Sequence, residues 1–251
     1  MNRSQPAPSE TSVERFFLPQ SLQLDTLELD GTEAHHLLHV LRAKVGDHIG
    51  LFNGEGDEAQ AEIVRNSKRS AEVRVIKTWT TPAEKAELIL ATALPKADRA
   101  RWLVEKATEL GVSRIIPLRT ARSAVEPGEG RIDKLQQTVI AACKQCGRSR
   151  LLRLSSLTSF AEVLRSINSE QCRAMIAHPA ATLSVADALR PVAAASSSLV
   201  LFGPEGGFTN EERSAAIAAG ARPISLGPLV LRIETAVIAI AAAWRMSLWN
   251  L

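Results

Sequence analysis

From Glu87 onward the chain alternates short, unbroken apolar runs with stretches of helical spacing, and few architectures accept that rhythm. Leu88–Leu94, Arg114–Leu118, Arg173–His178, Ser198–Phe202 and Pro223–Leu226 read as strands, the longest of them apolar but for Thr92, as suits a strand buried on both faces. Between them lie helices. Asp98 can cap one that runs to Leu110, where Gly111 stops it in the left-handed conformation. Residues 131–146 supply the next. Thr209-Asn-Glu-Glu212 is a capping box that starts a third helix, which Gly220 ends, and a last helix runs to about Trp249. Strand–helix alternation of this kind predicts an α/β domain with a parallel sheet. No internal repeat is visible.

The first 80 residues follow a different pattern. Val13–Leu18 is a short apolar strand, and His35–Arg42 has helical spacing with Leu38, Leu41 and Val45 on one face. Asp47–Phe52 leads into Asn53-Gly54, a strong hairpin signal. Ala59–Val64 and Ser70–Ile76 then alternate apolar and polar residues as half-buried strands do. Several short strands with one helix predict a small β-barrel over residues 13–80. Thr80, Thr81 and Pro82 read as a linker to a second domain over 86–251, and residues 1–12 as a disordered polar tail.

Several function classes are excluded by what the chain lacks. The apolar stretch Ala236–Trp244 is far short of the ~20 residues that span a bilayer, and no secretory signal pattern precedes the first strand, so a cytoplasmic location is expected. Cys143 and Cys146 have redox or half-zinc spacing, but with only Cys172 besides them no second pair completes a tetrahedral site. They read as ordinary helix cysteines. His35 and His39 stand four apart on a helix without an acidic or cysteine partner, so no metal is expected. Gly54-Glu-Gly56 and Gly128-Glu-Gly130 start a dinucleotide fingerprint but place Ala59 and Asp133 where its last glycine belongs. Phosphate-loop, G-x-S-x-G and H-E-x-x-H motifs are absent.

What remains is concentrated in two glycine–proline turns, each after an apolar strand and before a helix: Gly203-Pro204-Glu205-Gly206-Gly207 and Leu226-Gly227-Pro228-Leu229-Val230-Leu231-Arg232-Ile233-Glu234-Thr235-Ala236. Exposed backbone at strand ends beside helix N-termini is where an α/β protein builds a small-molecule site. The glycines let backbone approach a ligand closely. Glu205 could accept a ribose hydroxyl, an amino group or a proton, and Glu234 and Thr235 also suit plain helix capping. Charge points to a second partner. The net charge is +3, yet residues 96–153 hold 13 basic against 6 acidic side chains. Such concentration favours a polyanion.

Taken with Arg15-Phe-Phe-Leu18, His39-Val-Leu-Arg42, Gly46-Asp47, Leu51-Phe-Asn-Gly54, Leu94-Pro-Lys-Ala-Asp-Arg99, Glu105–Val112, Ala141–Arg148 and His178-Pro179, the turns resemble the SPOUT superfamily of RNA methyltransferases. Within it the chain is most similar to the bacterial enzymes that methylate N3 of a uridine in small-subunit 16S ribosomal RNA. The resemblance implies an N-terminal PUA-like β-barrel, a C-terminal α/β domain tied in a deep trefoil knot, a homodimer, and S-adenosylmethionine as cofactor. It implies cofactor contacts from His178, Pro179, Gly203, Pro204, Glu205, Gly206, Gly207, Leu226, Gly227, Leu231, Arg232 and Ile233. Two positions depart from the pattern: Leu229 stands where Arg or Lys is expected, and Ile233 where Thr is usual.

Uracil N3–H must be lost during such a methylation, so a base, or a cation that stabilises the uracil anion, is required. Arg232 is the expected cation, and Glu205 or Glu234 the expected base. Phosphate contacts are expected from Lys96, Arg99, Arg101, Arg122 and Arg148, extended by Arg15 and Arg42. With no Tyr and 4% aromatic residues, a base-stacking platform is not expected to be the main RNA reader. Two alternatives stay open: ribose 2′-O-methylation within the same superfamily, or an RNA-binding ribosome-assembly protein without catalysis.

Overall fold

The computed structural model describes residues 13–123, 128–169, 172–189 and 197–249; the tail expected over 1–12 lies outside them. By internal contacts the chain divides into two compact units. One comprises residues up to Ala83 together with Cys143–Arg150, the other Glu84–Ala142 with Leu151–Leu251.

The first unit is built on a five-stranded sheet. Its elements are β1 (Arg15–Phe17), β2 (Thr26–Leu29), α1 (Gly31–His35), β3 (His48–Phe52), β4 (Asp57–Asn66) and β5 (Ala71–Thr80), with the strands ordered β1-β3-β4-β5-β2. β1 runs parallel to β3, and the remaining pairs are antiparallel. Alternation sends Ile49, Leu51, Ala59, Ala61, Ile63, Ala71 and Val73 inward, where they bury Phe16, Leu22, Leu29 and Leu37. The helical reading was right in kind but wrong in face. Ala34 and Leu37 are the buried residues, whereas Leu41 and Val45 are exposed and Leu38 is only half-buried. The cause is a π-helical turn over His36–Val40, closed by Leu41 N–H donating to His36 O, which widens the winding and rotates the apolar set.

The Asn53-Gly54 hairpin forms as expected, joining antiparallel β3 and β4. Four residues connect β3 to β4, and Asn53 Oδ1 organises them by accepting from the N–H groups of Glu55 and Asp57. β5 extends through Thr80, and Thr81 N–H donates to Gly56 O, so Thr80 and Thr81 belong to this unit rather than to a linker. Gly56 is obligatory: its φ is +104°, and a Cβ there would lie 2.7 Å from Thr81 O. The sequence carries no sign that Cys143–Arg150 packs here, where Ser149 O accepts from Gly56 N–H and Arg150 donates to Thr81 O.

The second unit holds β6 (Leu88–Thr92), α2 (Ala97–Glu109), β7 (Arg114–Arg119), α3 (Glu129–Cys146, its last turn in the first unit), β8 (Arg153–Leu154), β9 (Thr158–Ser159) and α4 (Phe160–Ser169). It continues with β10 (Arg173–Ala177), α5 (Val185–Ala188), β11 (Ser198–Phe202), α6 (Asn210–Ala218), β12 (Arg222–Ile224) and α7 (Ile233–Trp249). The strands form one parallel sheet ordered β12-β10-β11-β6-β7-β8, with β9 also paired to β7. All five residues of β6 and of β11 are buried, as strands covered on both faces require. α7 turns Ile233, Val237, Ile240, Ala241 and Trp244 inward at helical spacing and packs against α2 and β6. Phe160, Val163 and Ile167 of α4 cover part of the sheet in a cluster with Ile89, Ile116, Ile176 and Leu201.

The capping box at Thr209 and Glu212 forms with both of its hydrogen bonds. Asp98, by contrast, does not cap α2. The helix begins one residue earlier, at Ala97, and leaves the N-cap position to Lys96, so Asp98 lies inside the first turn.

Candidate active site at the carboxyl edge of the sheet

β12, β10 and β11 are neighbours and parallel, so the segments that follow them emerge at one edge of the sheet. That explains how His178-Pro179, Gly203–Gly207 and Leu226–Ile233 meet although far apart in sequence. They line a cavity of about 520 Å³, within the size range of small-molecule sites. Each residue expected to contact a cofactor lies on its wall: His178, Pro179, Gly203, Pro204, Glu205, Gly206, Gly207, Leu226, Gly227, Leu231, Arg232 and Ile233. Ala177, Phe202, Phe208, Leu229, Val230, Ala236 and Arg122 complete it.

The first turn is pinned. Gly207 N–H donates to Pro204 O, and a Cβ on Gly203 would lie 3.1 Å from Phe208 N and 3.2 Å from Gly207 C. A side chain there would force these backbone atoms to give way by a few tenths of an ångström. Phe208, 8% exposed, stacks at 5.4 Å on Phe160 and anchors the turn from below. Among the described residues the N–H groups of Glu205, Gly206, Leu229, Val230 and Leu231 have no protein acceptor. Free backbone donors on a largely apolar wall suit a ligand that combines hydroxyl, carboxylate or ring-nitrogen acceptors with apolar surface.

His178 Nε2 accepts from Arg213 Nη1 at 2.7 Å. Burial, and then the charge of Arg213, hold the His178 pKa below its ordinary value and so favour the neutral ring on the cavity wall. Arg213 itself is steadied by Asn210 Oδ1 at 2.7 Å. Sequence reasoning missed Arg213 and Phe208, because both act across elements and no local pattern marks them.

The expected catalytic groups come together in part. Arg232 is exposed on the wall, and its side chain has no hydrogen-bond or ion-pair partner among the described residues. Glu205 lies on the opposite turn with its side chain 60% exposed. Glu234, only 7% exposed, does not reach the wall, and its Oε2 lacks a partner. Arg99 links the two carboxylates, with Nη2 3.6 Å from Glu205 Oε1 and Nη1 3.6 Å from Glu234 Oε1. β6 lies beside β11, which is why the helix after β6 delivers Arg99 to this place.

The residues expected on a phosphate-binding surface separate into groups. Lys96, Arg101 and Arg42 are exposed. Arg122 is a wall residue whose Nη1 donates to Gly206 O at 2.7 Å. Arg148 is half-buried, and its carbonyl accepts from Arg15. Arg15 requires correction. Its side chain is 16% exposed, ion-paired to Glu58 at 2.9 Å, bonded to Cys143 O and stacked over Phe52. Its charge serves the interior of the first unit. Among the described residues no group of three metal-ligating side chains occurs, and no helix is long and apolar enough to cross a membrane.

Comparison with known proteins agrees with this geometry. A family model described as an RNA methyltransferase domain matches residues 82–245, and one described as an RNA methyltransferase PUA domain matches residues 29–76. The chain belongs to the RNA methyltransferase family. It is 31% identical over 240 residues to the ribosomal RNA small subunit methyltransferase E of Bacillus subtilis, which covers 89% of this chain and 93% of that one. The protein of the same name from Rickettsia conorii is 34% identical over 215 residues, 84% of this chain and 86% of that one. Among solved structures, a ribosomal RNA small subunit methyltransferase E from Neisseria gonorrhoeae bound to S-adenosyl methionine superposes with a TM-score of 0.85. It is 30% identical and covers 93% of this chain and 97% of that one.

Proposed function

We propose that this protein uses S-adenosylmethionine to methylate N3 of a uridine in the 16S RNA of the small ribosomal subunit. The observation that carries the reading is the cavity at the carboxyl edge, where two glycine–proline turns present backbone N–H groups without an acceptor among the described residues and His178-Pro179 completes the wall. These residues fit the cofactor: the walls combine apolar surface from Leu226, Leu231 and Ile233 with donors at Glu205, Gly206 and Leu231. Bound there, S-adenosylmethionine supplies a sulfonium methyl carbon, and as the N3 lone pair bonds to it the C–S electron pair leaves with sulfur.

The chain's own task is to align the base and manage its proton. Arg232, unpaired and exposed on the wall, is available to uracil O2 or O4 as negative charge develops. A carboxylate takes the N3 proton. Exposed Lys96, Arg101 and Arg42 are candidates to hold the RNA by its phosphates, which makes binding sensitive to salt. A target base within a duplex must be flipped out to reach the cavity. The same proposal includes a PUA-like domain over 13–80, a knotted catalytic domain over 86–251, a homodimer and a cytoplasmic location.

The test is transfer of radiolabelled methyl groups to 30S particles and to naked 16S RNA, followed by nucleoside mass spectrometry. 3-Methyluridine is the expected product. Label on ribose oxygen, or no transfer by a protein that binds both RNA and cofactor, would overturn the proposal.

A further inference from the structure

Arg99 sits where a phosphate-binding cation was expected, yet its guanidinium lies between two carboxylates. A cation flanked by two anions is a poor phosphate ligand, because a third negative group would meet a local charge that is already net negative. We propose that Arg99 is a positioning residue: anchored on buried Glu234, it fixes Glu205 as the group that accepts the uracil N3 proton. This inference rests on the methylation reading above.

Two facts choose between the carboxylates. A general base must come within about 3 Å of the atom whose proton it takes. Glu205 lies on the cavity wall with its side chain 60% exposed, whereas Glu234 is 7% exposed and absent from the wall. Glu234 is therefore the anchor. Its Oε1 faces Arg99, its Oε2 has no partner, and Arg99 is its only countercharge among the described residues. The unit has the logic of other base–orienter pairs, in which the group touching substrate is aimed by a second and held by a third. In the step itself the N3–H proton moves to a Glu205 oxygen and the N–H electron pair stays on nitrogen. Glu205 then returns the proton to water, which its exposure permits.

Four variants of the full-length protein test this. Arg99→Gln is expected to lower kcat roughly 10²-fold, the size of effect that misplacing a reacting group produces, with KM for RNA and cofactor within about twofold. Its RNA affinity, measured without cofactor across a salt series, should keep the wild-type slope. Glu205→Gln should lose roughly 10²-fold or more in kcat. Arg99→Gln also strands the buried Glu234 carboxylate, so its thermal midpoint should fall, and adding Glu234→Gln should restore the midpoint but not kcat. Arg99→Lys, a compact charge able to meet one carboxylate at a time, should recover kcat in part.

Wild-type kcat in Arg99→Gln or Glu205→Gln would overturn the inference. So would a weakened RNA complex whose salt slope has shrunk by about one, the mark of a lost phosphate contact. A wild-type protein that transfers no methyl group refutes the methylation reading instead. The RNA titrations and the midpoint recovery would then still decide whether Arg99 is spent on Glu234.

Discussion

The two glycine–proline turns occupy equivalent places after parallel strands, yet they are built differently. Gly203–Gly207 is braced from within by the Gly207–Pro204 hydrogen bond, from below by Phe208, and from the side by Arg122 on Gly206 O. Among the described residues, Leu226–Arg232 is held by hydrogen bonds only near its ends, with Ser225 Oγ accepting from Gly227 N–H and Ala236 N–H donating to Arg232 O. Between those points Leu229 is 74% and Val230 88% exposed. One turn is a preformed wall, and the other has few contacts to oppose movement. A site assembled from one fixed and one adaptable side can orient a ligand against the first and close over it with the second.

The comparison can be broken most severely at the anchor of the fixed wall. Phe208→Ala removes a buried ring against Phe160 and is expected to cost about 3 kcal/mol in urea unfolding, with cofactor affinity lost in parallel. A variant that keeps both would show that the first turn is not supported from below.

Alanine at the two glycines gives a sharper contrast. At Gly203 the new Cβ meets backbone atoms at 3.1 and 3.2 Å, so about 2 kcal/mol of overpacking is expected. At Gly227 nothing lies within 4 Å, and only its φ of +111° is strained, at about 1 kcal/mol. Equal unfolding free energies for the two variants would remove the distinction between the turns.

A pH effect of smaller size is expected at His178. Its pKa is lowered in the folded protein, so the unfolded chain binds more protons there just below the ordinary histidine value. Its contribution is therefore complete above that value and declines as the pH falls toward the depressed one. Unfolding midpoints between pH 7.5 and 5.5 should drop less in His178→Gln than in the wild type. Identical drops would contradict the assignment.

The smallest effect concerns Leu229. Because the side chain is largely in solvent, Leu229→Arg should change stability by less than about 0.5 kcal/mol. It should also strengthen RNA binding and steepen its salt dependence by about one in slope. A loss of stability would mean that the second turn packs more tightly than its exposure indicates.

Local chemistry was legible where it is decided locally. The capping box at Thr209, the glycine stops at Gly111 and Gly220, and the unbroken apolar runs of β6 and β11 all formed as read. Misreadings arose where a neighbour intervened. The π-helical turn at His36–Val40 redirected an apolar stripe, and Cys143–Arg150 joined the first unit without any periodic signal. The short elements β2, β8, β9 and α5 are too brief for periodicity to reveal. The site shows the same split. Its glycines and prolines announced themselves, while Phe208, Arg213 and the part played by Arg99 depend on strand order.

Sequence alone settled where the longer strands lie, that the two turns are glycine-rich, and that the chemistry would gather at strand ends, because these follow from backbone sterics and hydrophobic spacing within a few residues. Tertiary structure decided which ends become neighbours. Only the sheet order β12-β10-β11-β6-β7 brings His178, Gly203, Leu226 and Arg122 around one cavity and sets Arg99 beside Glu205 on its wall. It also turned Arg15 and Arg99 from expected phosphate ligands into ion-pair partners, Arg15 of Glu58 and Arg99 of Glu205 and Glu234. A side chain's charge is written in the sequence, but what it faces is fixed by residues far away along the chain.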